Sequence, residues 1–141
     1  MVNLWPGVPA ECLCDKHLNA VLAEYNNLLM PSMRKGHMIT KYILHGCIDM
    51  FNIEHRINEC LIEATKRNHA WKYQSVSESD RILQKLYLKK YIEAFPEIFD
   101  TDHRYARQIE MGHMNELVLS FRCPKCRERI LNYRSEHGRH L

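Results

Sequence analysis

The sequence predicts an all-α fold: a compact, single-domain helical bundle with irregular loops that spans residues 1–141. Apolar residues recur at helical spacing in several segments, and the alternating patterns typical of strands are scarce. A length of 141 residues is typical of one domain, and an apolar content of 45% supplies a core for it. Five Gly and five Pro are too few for a chain dominated by loops.

The first helix is expected to begin between Pro9 and Asp15 and to end at Pro31, because the residue before a proline avoids helical geometry. A basic loop is expected at residues 32–36. The apolar stripe of this helix is predicted to comprise Leu18, Val21, Leu22, Tyr25, Leu28 and Leu29.

A second helix is expected over residues 48–68, with Glu63 among its solvent-facing charges. Its buried face is predicted to be Met50, Ile53, Ile57, Cys60, Leu61 and Ala64. Residues 69–77 should form a polar connection, after which Ser77 or Ser79 caps a third helix that ends near Phe95.

The last third of the chain gives a weaker pattern. Residues 102–110 are expected to be helical, and residues 117–121 should be a short strand or the beginning of a last helix. Pro124 suits the first turn of a terminal helix, where its missing N–H does no harm.

Composition limits the class of protein. The net charge of +3 permits an anionic partner such as DNA without requiring one. The chain has neither an apolar run long enough to span a membrane nor the basic and apolar regions of a signal peptide. We therefore expect a monomeric cytoplasmic protein, of a bacterium or a phage-infected host cell, whose six cysteines are reduced thiols.

Two polar residues of the first helix, His17 and Glu24, lie seven positions apart and so leave the same face. Ala20 between them makes a shallow notch, and Asn27 extends the row. This pattern indicates either a site that a substrate can enter or the ordinary solvated face of an amphipathic helix.

The beginning of the chain offers a nucleophile. Val2 is small, so removal of Met1 is expected to leave a free α-amine at residue 2. About 10% of such an amine is neutral at pH 7, against about 0.04% of a lysine side chain. Only the neutral form attacks carbon, so a terminal amine suits Schiff-base chemistry.

The residues from Leu13 to Leu18 (LCDKHL), followed six residues later by Glu24, resemble the first helix of the pyrimidine-dimer DNA glycosylases of the phage endonuclease V type. The opening Asn-Leu-Trp with its nearby prolines is similar to members of that family. So is the segment HGCIDMF, followed by His-Arg and by Lys-Arg-Asn-His, at residues 45–69. The resemblance covers about half of the chain.

The resemblance implies a bifunctional DNA glycosylase and AP lyase that acts on UV-damaged or abasic double-stranded DNA. The amine of Val2 would form an imine with the deoxyribose, and Glu24 would act as acid and base. DNA contacts are assigned to His17, Lys16, Asn27, Arg34, Lys35 and Trp71. Trp71 is assigned either to stacking on an opened base or to covering the edge of the core.

Two alternatives remain open. Asn3, Ala23 and Asn27 stand where related enzymes carry arginines, which is compatible with a catalytically silent relative that binds DNA or a nucleotide. The second alternative is a zinc-stabilised nucleic-acid-binding module, suggested by the C-x-x-C pair Cys123 and Cys126.

The reaction itself needs no cofactor, and a metal at the C-x-x-C pair would be a structural zinc. The missing ligands would have to be Cys12 and Cys14, or the tail histidines His137 and His140. The favoured interpretation is instead two thiols at the beginning of a terminal helix.

Overall fold

A computed structural model of the chain describes residues 2–100 and 103–138. Over these ranges the fold is all-α, as predicted, and contains no strand. The helices are α1 (Asp15–Glu24), α2 (Met30–Arg34), α3 (Thr40–Leu44), α4 (Ile53–Lys66), α5 (Glu78–Ala94), α6 (Arg104–Arg122) and α7 (Pro124–His137). A 3₁₀ turn, Ala10–Cys12, precedes α1. None of the described helices is long and apolar enough to cross a membrane.

The first helical segment does not end at Pro31, which corrects the prediction. A π-helical turn, Tyr25–Leu29, joins α1 to α2, so that Pro31 lies in the first turn of α2 and the predicted basic loop is helical as far as Arg34. A proline is tolerated in the first turn of a helix, because its missing backbone N–H costs little there. Because the π turn changes the rotation of the helix, Leu28 is 52% exposed although the stripe predicted it to be buried.

The second predicted helix begins at Ile53 rather than at residue 48, and a separate short helix, α3, precedes it. The predicted apolar face is buried except for Leu61, which is partly exposed. Glu63 was assigned to solvent, but it is buried and pairs with Arg67 across 2.8 Å. The pair explains the burial, because a buried carboxylate needs a partner.

Two later predictions concern helix ends. Ser77 caps α5 as predicted, since its hydroxyl accepts a hydrogen bond from the backbone N–H of Asp80 at 3.2 Å. Residues 117–121 belong to the end of α6, so the expected strand or new helix there was wrong. Pro124 is in the first turn of α7, as expected. Asp102 lies outside the described residues.

The core forms where α1 packs on α4, and α7 covers the 3₁₀ turn. Residues 2–9, which we call the N-terminal arm, are not helical, turn at residues 6–8 and pack against this core. The arm approaches α6 at Gly7, where a Cβ would lie 2.4 Å from the Cα of Gly112. Two glycines thus allow the arm to reach its position.

We predict that Gly7→Ala destabilises the protein well beyond the cost of its backbone angle. Gly7 has φ +85°. An alanine can adopt this backbone angle only with a strain of about 1–2 kcal/mol. The clash with Gly112 adds about 1–3 kcal/mol. Gly36→Ala is the matched control, because Gly36 has φ +75° but no atom within 4 Å of the added Cβ. Equal losses of unfolding free energy in urea for the two variants would contradict the close contact.

Candidate active site and metal centre

The N-terminal arm is held in place by Arg56, a buried residue in the first turn of α4. Its guanidinium donates hydrogen bonds to the carbonyl oxygens of Leu4 at 2.8 Å and Trp5 at 2.9 Å, and also to that of Val8. Glu59 pairs with the same guanidinium across 3.0 Å. Since Arg56 is only 5% exposed, the arm is part of the folded core.

Two further contacts fix the arm along its length. The backbone N–H of Leu4 donates to the carbonyl of Cys47 at 2.9 Å. The side-chain amide of Asn115 on α6 donates to the carbonyls of Pro6 at 2.8 Å and Gly46 at 3.1 Å. The arm therefore contacts α4, α6 and the loop after α3, which leaves little freedom for its first residues.

The arm brings the beginning of the chain to Glu24. The backbone N–H of Asn3 donates to Oε1 of Glu24 at 3.2 Å, and the side chain of Val2 is 3% exposed. Because one residue spans at most about 3.6 Å of chain, the α-nitrogen of Val2 lies within about 7 Å of Glu24 Oε1. Met1 is outside the described residues, so its predicted removal stays a prediction.

Glu24 occupies a half-buried position at the end of α1, directly before the π turn. Burial raises the pKa of the Glu24 carboxyl, and the hydrogen bond from the Asn3 backbone opposes the rise. A carboxyl with a raised pKa holds its proton more readily than an ordinary Glu and is better suited to act as both acid and base. π turns occur often at functional sites, and here one directly follows the predicted catalytic residue.

His17 lies beside a group of thiols. Its Nδ1 lies 3.2 Å from Sγ of Cys14 and 3.5 Å from Sγ of Cys126. Its ring also meets the ring of Trp5 edge to face, with centroids 6.0 Å apart. The predicted polar row of α1 therefore serves two places, with His17 at one and Glu24 at the other.

Four side chains, those of Cys14, His17, Cys123 and Cys126, form what we call the four-ligand cluster. Their ligand atoms all lie within 4.8 Å of one another, so the cluster could hold a metal ion. The Sγ atoms of Cys14 and Cys123 are 3.8 Å apart. Ligands on a tetrahedron around zinc would be separated by about 3.8 Å between sulfurs and about 3.5 Å between sulfur and nitrogen. The Cys14–Cys123 and His17–Cys126 separations match those values, and the separation of His17 from Cys14 is 3.2 Å.

Backbone donors support the sulfurs of the cluster. The N–H of Cys14 donates to Sγ of Cys126 at 3.2 Å, and the N–H of Cys126 donates to Sγ of Cys123 at 3.4 Å. Burial raises the pKa of the Cys126 thiol, and a bound cation would favour its thiolate. Donors of this kind orient metal ligands and stabilise their negative charge.

The C-x-x-C pair thus belongs to a possible metal centre, but the expected partners were partly wrong. Cys14 contributes, whereas Cys12 does not and His17 takes the fourth place. The imidazole of His137 instead stacks on Tyr133, with centroids 4.1 Å apart, and His140 lies outside the described residues. The signal was present in the sequence as C-x-x-H at residues 14–17, the same spacing as C-x-x-C.

The other predicted DNA contacts are scattered over the surface. Lys16, Asn27 and Lys35 are exposed. Arg34 is engaged in a two-point ion pair with Asp80, with its closest atoms 2.6 Å apart. Trp71 is partly buried and stacks on His69, with ring centroids 4.0 Å apart. The His69 ring is in turn hydrogen-bonded to the carboxylate of Asp15. Trp71 therefore lies beside the first turn of α1.

Sequence reasoning missed two residues of the candidate site, Asn3 as a neighbour of Glu24 and Arg56 as the support of the arm. Arg56 stands between Ile53 and Ile57, next to the apolar face of α4, and that position was the available signal.

Comparison of the chain with protein-family models, with curated proteins and with solved structures gave no significant match.

Proposed function

We propose that the chain is a DNA glycosylase with AP lyase activity, whose nucleophile is the α-amine of Val2 and whose acid and base is Glu24. The observation that carries the proposal is the 3.2 Å hydrogen bond between the Asn3 backbone and Glu24, next to the buried side chain of Val2. If Met1 is removed, a terminal amine would stand beside a carboxyl with a raised pKa, which is the pair that the proposed reaction requires. The substrate is UV-damaged or abasic double-stranded DNA.

The first half of the reaction forms an imine. The neutral amine attacks C1′ of the deoxyribose, and the damaged base leaves with the electrons of the N-glycosidic bond and takes up a proton. Protonated Glu24 then gives its proton to the ring oxygen O4′ as the C1′–O4′ bond opens. The proton taken up by the base comes from the attacking nitrogen, whose lone pair forms the C1′=N double bond as the ring opens, so the imine keeps its last N–H proton and is positively charged.

The second half cuts the strand. The Glu24 carboxylate takes a proton from C2′, the electrons shift toward the protonated imine, and the C3′–O bond breaks with departure of the 3′ phosphate. Water then hydrolyses the imine and releases the amine. Electrons withdrawn into the imine make the C2′ proton acidic, so these steps require no metal.

Duplex binding is assigned to the exposed basic residues Lys16 and Lys35, whose charges suit phosphates. Arg34, Asn27, His17 and Trp71 were predicted as further contacts; the ion pair of Arg34 with Asp80 would have to open first. A lesion that already distorts the duplex lowers the cost of exposing its sugar. We assign the protein to the cytoplasm of a bacterium or a phage-infected cell, where such DNA is accessible, and to a monomeric state.

Borohydride trapping tests the proposal. The protein is mixed with a duplex that holds one abasic site, and borohydride reduces the imine to a stable amine. A covalent adduct of protein and DNA is the expected result, and an undamaged duplex is the control. Protein that binds the abasic duplex without forming an adduct would overturn the enzymatic proposal in favour of a silent relative.

We also propose that the four-ligand cluster holds a structural zinc ion. Three thiolates and an imidazole are a ligand set that zinc prefers, and four protein ligands leave no open position for a substrate. The same cluster favours the second candidate function, a zinc-stabilised nucleic-acid-binding module. One zinc per chain together with DNA binding but no trapped adduct would select that candidate.

A further inference from the structure

The last helix, α7, has little apolar surface with which to hold its place. Of its 14 residues, Pro124–His137, the buried ones are Cys126 and Ile130. Tyr133 also packs against the core, and two polar contacts add to it: Arg129 donates to the carbonyl of Glu11 at 2.8 Å, and Arg134 pairs with Glu116. A helix of this composition needs tertiary support, because isolated short helices are marginal in water.

The four-ligand cluster lies at the beginning of α7, where it joins this helix to α1. Cys14 and His17 come from the beginning of α1, and Cys123 and Cys126 come from the beginning of α7, more than 100 residues later. One of the two buried side chains of α7 is thus itself a ligand. An ion bound by all four would join the ends of the chain, and its binding free energy would contribute directly to folding.

The charge of such a centre is accommodated by its surroundings. Three thiolates and a divalent cation leave a net charge of −1. The N-termini of α1 and α7 both point their partial positive charge at it, and two backbone N–H groups donate to its sulfurs. Lys16 and Lys125, which are both exposed, directly precede the ligands His17 and Cys126 in the sequence.

A continuous series of contacts leads from the cluster to Glu24. The ring of His17 meets the ring of Trp5 on the N-terminal arm. The backbone N–H of Trp5 donates to Oδ1 of Asn3 at 2.8 Å, and the backbone N–H of Asn3 donates to Glu24. A change in the position of His17 therefore reaches the arm through Trp5.

We propose that the metal centre is a clasp that fastens α7 to α1 and, through His17 and Trp5, positions the N-terminal arm beside Glu24. His17 is then a metal ligand and a positioning residue rather than a DNA contact. The part of this inference that concerns α7 is independent of any reaction. The part that concerns the arm rests on the proposed function.

Ligand variants of the full chain test the clasp, with zinc content and melting temperature as the first readouts. His17→Ala should lose zinc and lower the melting temperature by about 10 °C or more, since metal sites of this type contribute several kcal/mol. His17→Cys keeps four ligands and should restore both zinc and melting temperature. Cys12→Ala, which alters a thiol outside the cluster, and His113→Ala, on exposed α6 surface, are the controls and should retain zinc.

Two further readouts separate the parts of the inference. Chelation should make α7 sensitive to trypsin at Lys125 and Arg127, and added zinc should reverse this sensitivity. If chelation instead causes aggregation that zinc reverses, that result supports the clasp equally. The rate of imine trapping at saturating DNA should fall about 10-fold or more in His17→Ala, and it should stay low in zinc-loaded His17→Cys, which lacks the ring that meets Trp5.

The outcomes differ for each claim. Zinc loss without a change in melting temperature or in trypsin sensitivity overturns the clasp. A wild-type trapping rate in a zinc-loaded, fully stable His17→Cys variant overturns the positioning role, because the contact with Trp5 is then not needed. Absence of trapping in the zinc-loaded wild-type chain overturns the proposed reaction, and the clasp is then judged by stability and trypsin sensitivity alone.

Discussion

Replacement of Glu24 by Gln should lower strand cleavage at an abasic site by about 10²–10⁴-fold, the usual contribution of a general acid and base. Binding to abasic DNA should be largely retained, because the amide has nearly the shape of the carboxyl and can still accept the hydrogen bond from the Asn3 backbone. Cleavage of an end-labelled duplex gives the rate, and fluorescence anisotropy gives the affinity. Glu93→Gln, on the exposed side of α5, is the matched control.

The same variant has an expected signature in stability. Burial raises the pKa of Glu24 in the folded state, so the group stabilises the fold at pH values below its unfolded pKa, and this contribution is lost as the pH rises through the folded pKa. At pH 7 the neutral Gln should therefore melt at a higher temperature than the wild type. The difference should disappear below about pH 4, near the ordinary pKa of Glu.

If the Glu24→Gln variant cleaved the abasic duplex at the wild-type rate, Glu24 would have no part in the mechanism.

Replacement of Arg56 by Ala should lower the free energy of unfolding by about 3–5 kcal/mol, because it removes a buried guanidinium and leaves its hydrogen-bond partners without a donor. The carbonyls of Leu4, Trp5 and Val8 would lose a donor at the same time. Urea unfolding followed by circular dichroism measures the loss. Arg56→Lys retains the charge without the forked geometry and should fall between wild type and Arg56→Ala.

The matched control is Arg81→Ala. Arg81 also makes a two-point pair with a carboxylate, that of Glu54, but its side chain is 41% exposed. Its loss should cost about 1 kcal/mol or less. If the two arginine variants were equally stable, Arg56 would have no special part in holding the N-terminal arm.

The sequence was sufficient for the fold class and for most of the core, and insufficient where helical rotation changes. Periodicity identified the buried residues of α1 from Leu18 to Tyr25. It misplaced Leu28, because a π turn leaves no trace in a pattern that assumes regular helical spacing. The prediction that Pro31 ends the helix was wrong for a related reason. Whether a proline ends one helix or begins the next depends on tertiary packing, which its neighbours in the sequence do not reveal.

The candidate site was predictable in part. Glu24 and the terminal amine followed from spacing, resemblance and elementary acid–base chemistry. The distance between them did not, because the path of the N-terminal arm depends on Arg56, Asn115 and the Gly7–Gly112 contact, each distant in sequence from what it holds. His17 was assigned to DNA, since the thiols that surround it come from the other end of the chain.

Mass mapping of the borohydride-trapped adduct is the measurement closest to the central claim, that the α-amine of Val2 is the nucleophile beside Glu24. Digestion of the adduct should give an N-terminal peptide that begins at Val2, lacks Met1 and carries the reduced sugar on its α-nitrogen. A sugar found on a lysine such as Lys16, or an N-terminal peptide that retains Met1 and carries no sugar, would contradict the account.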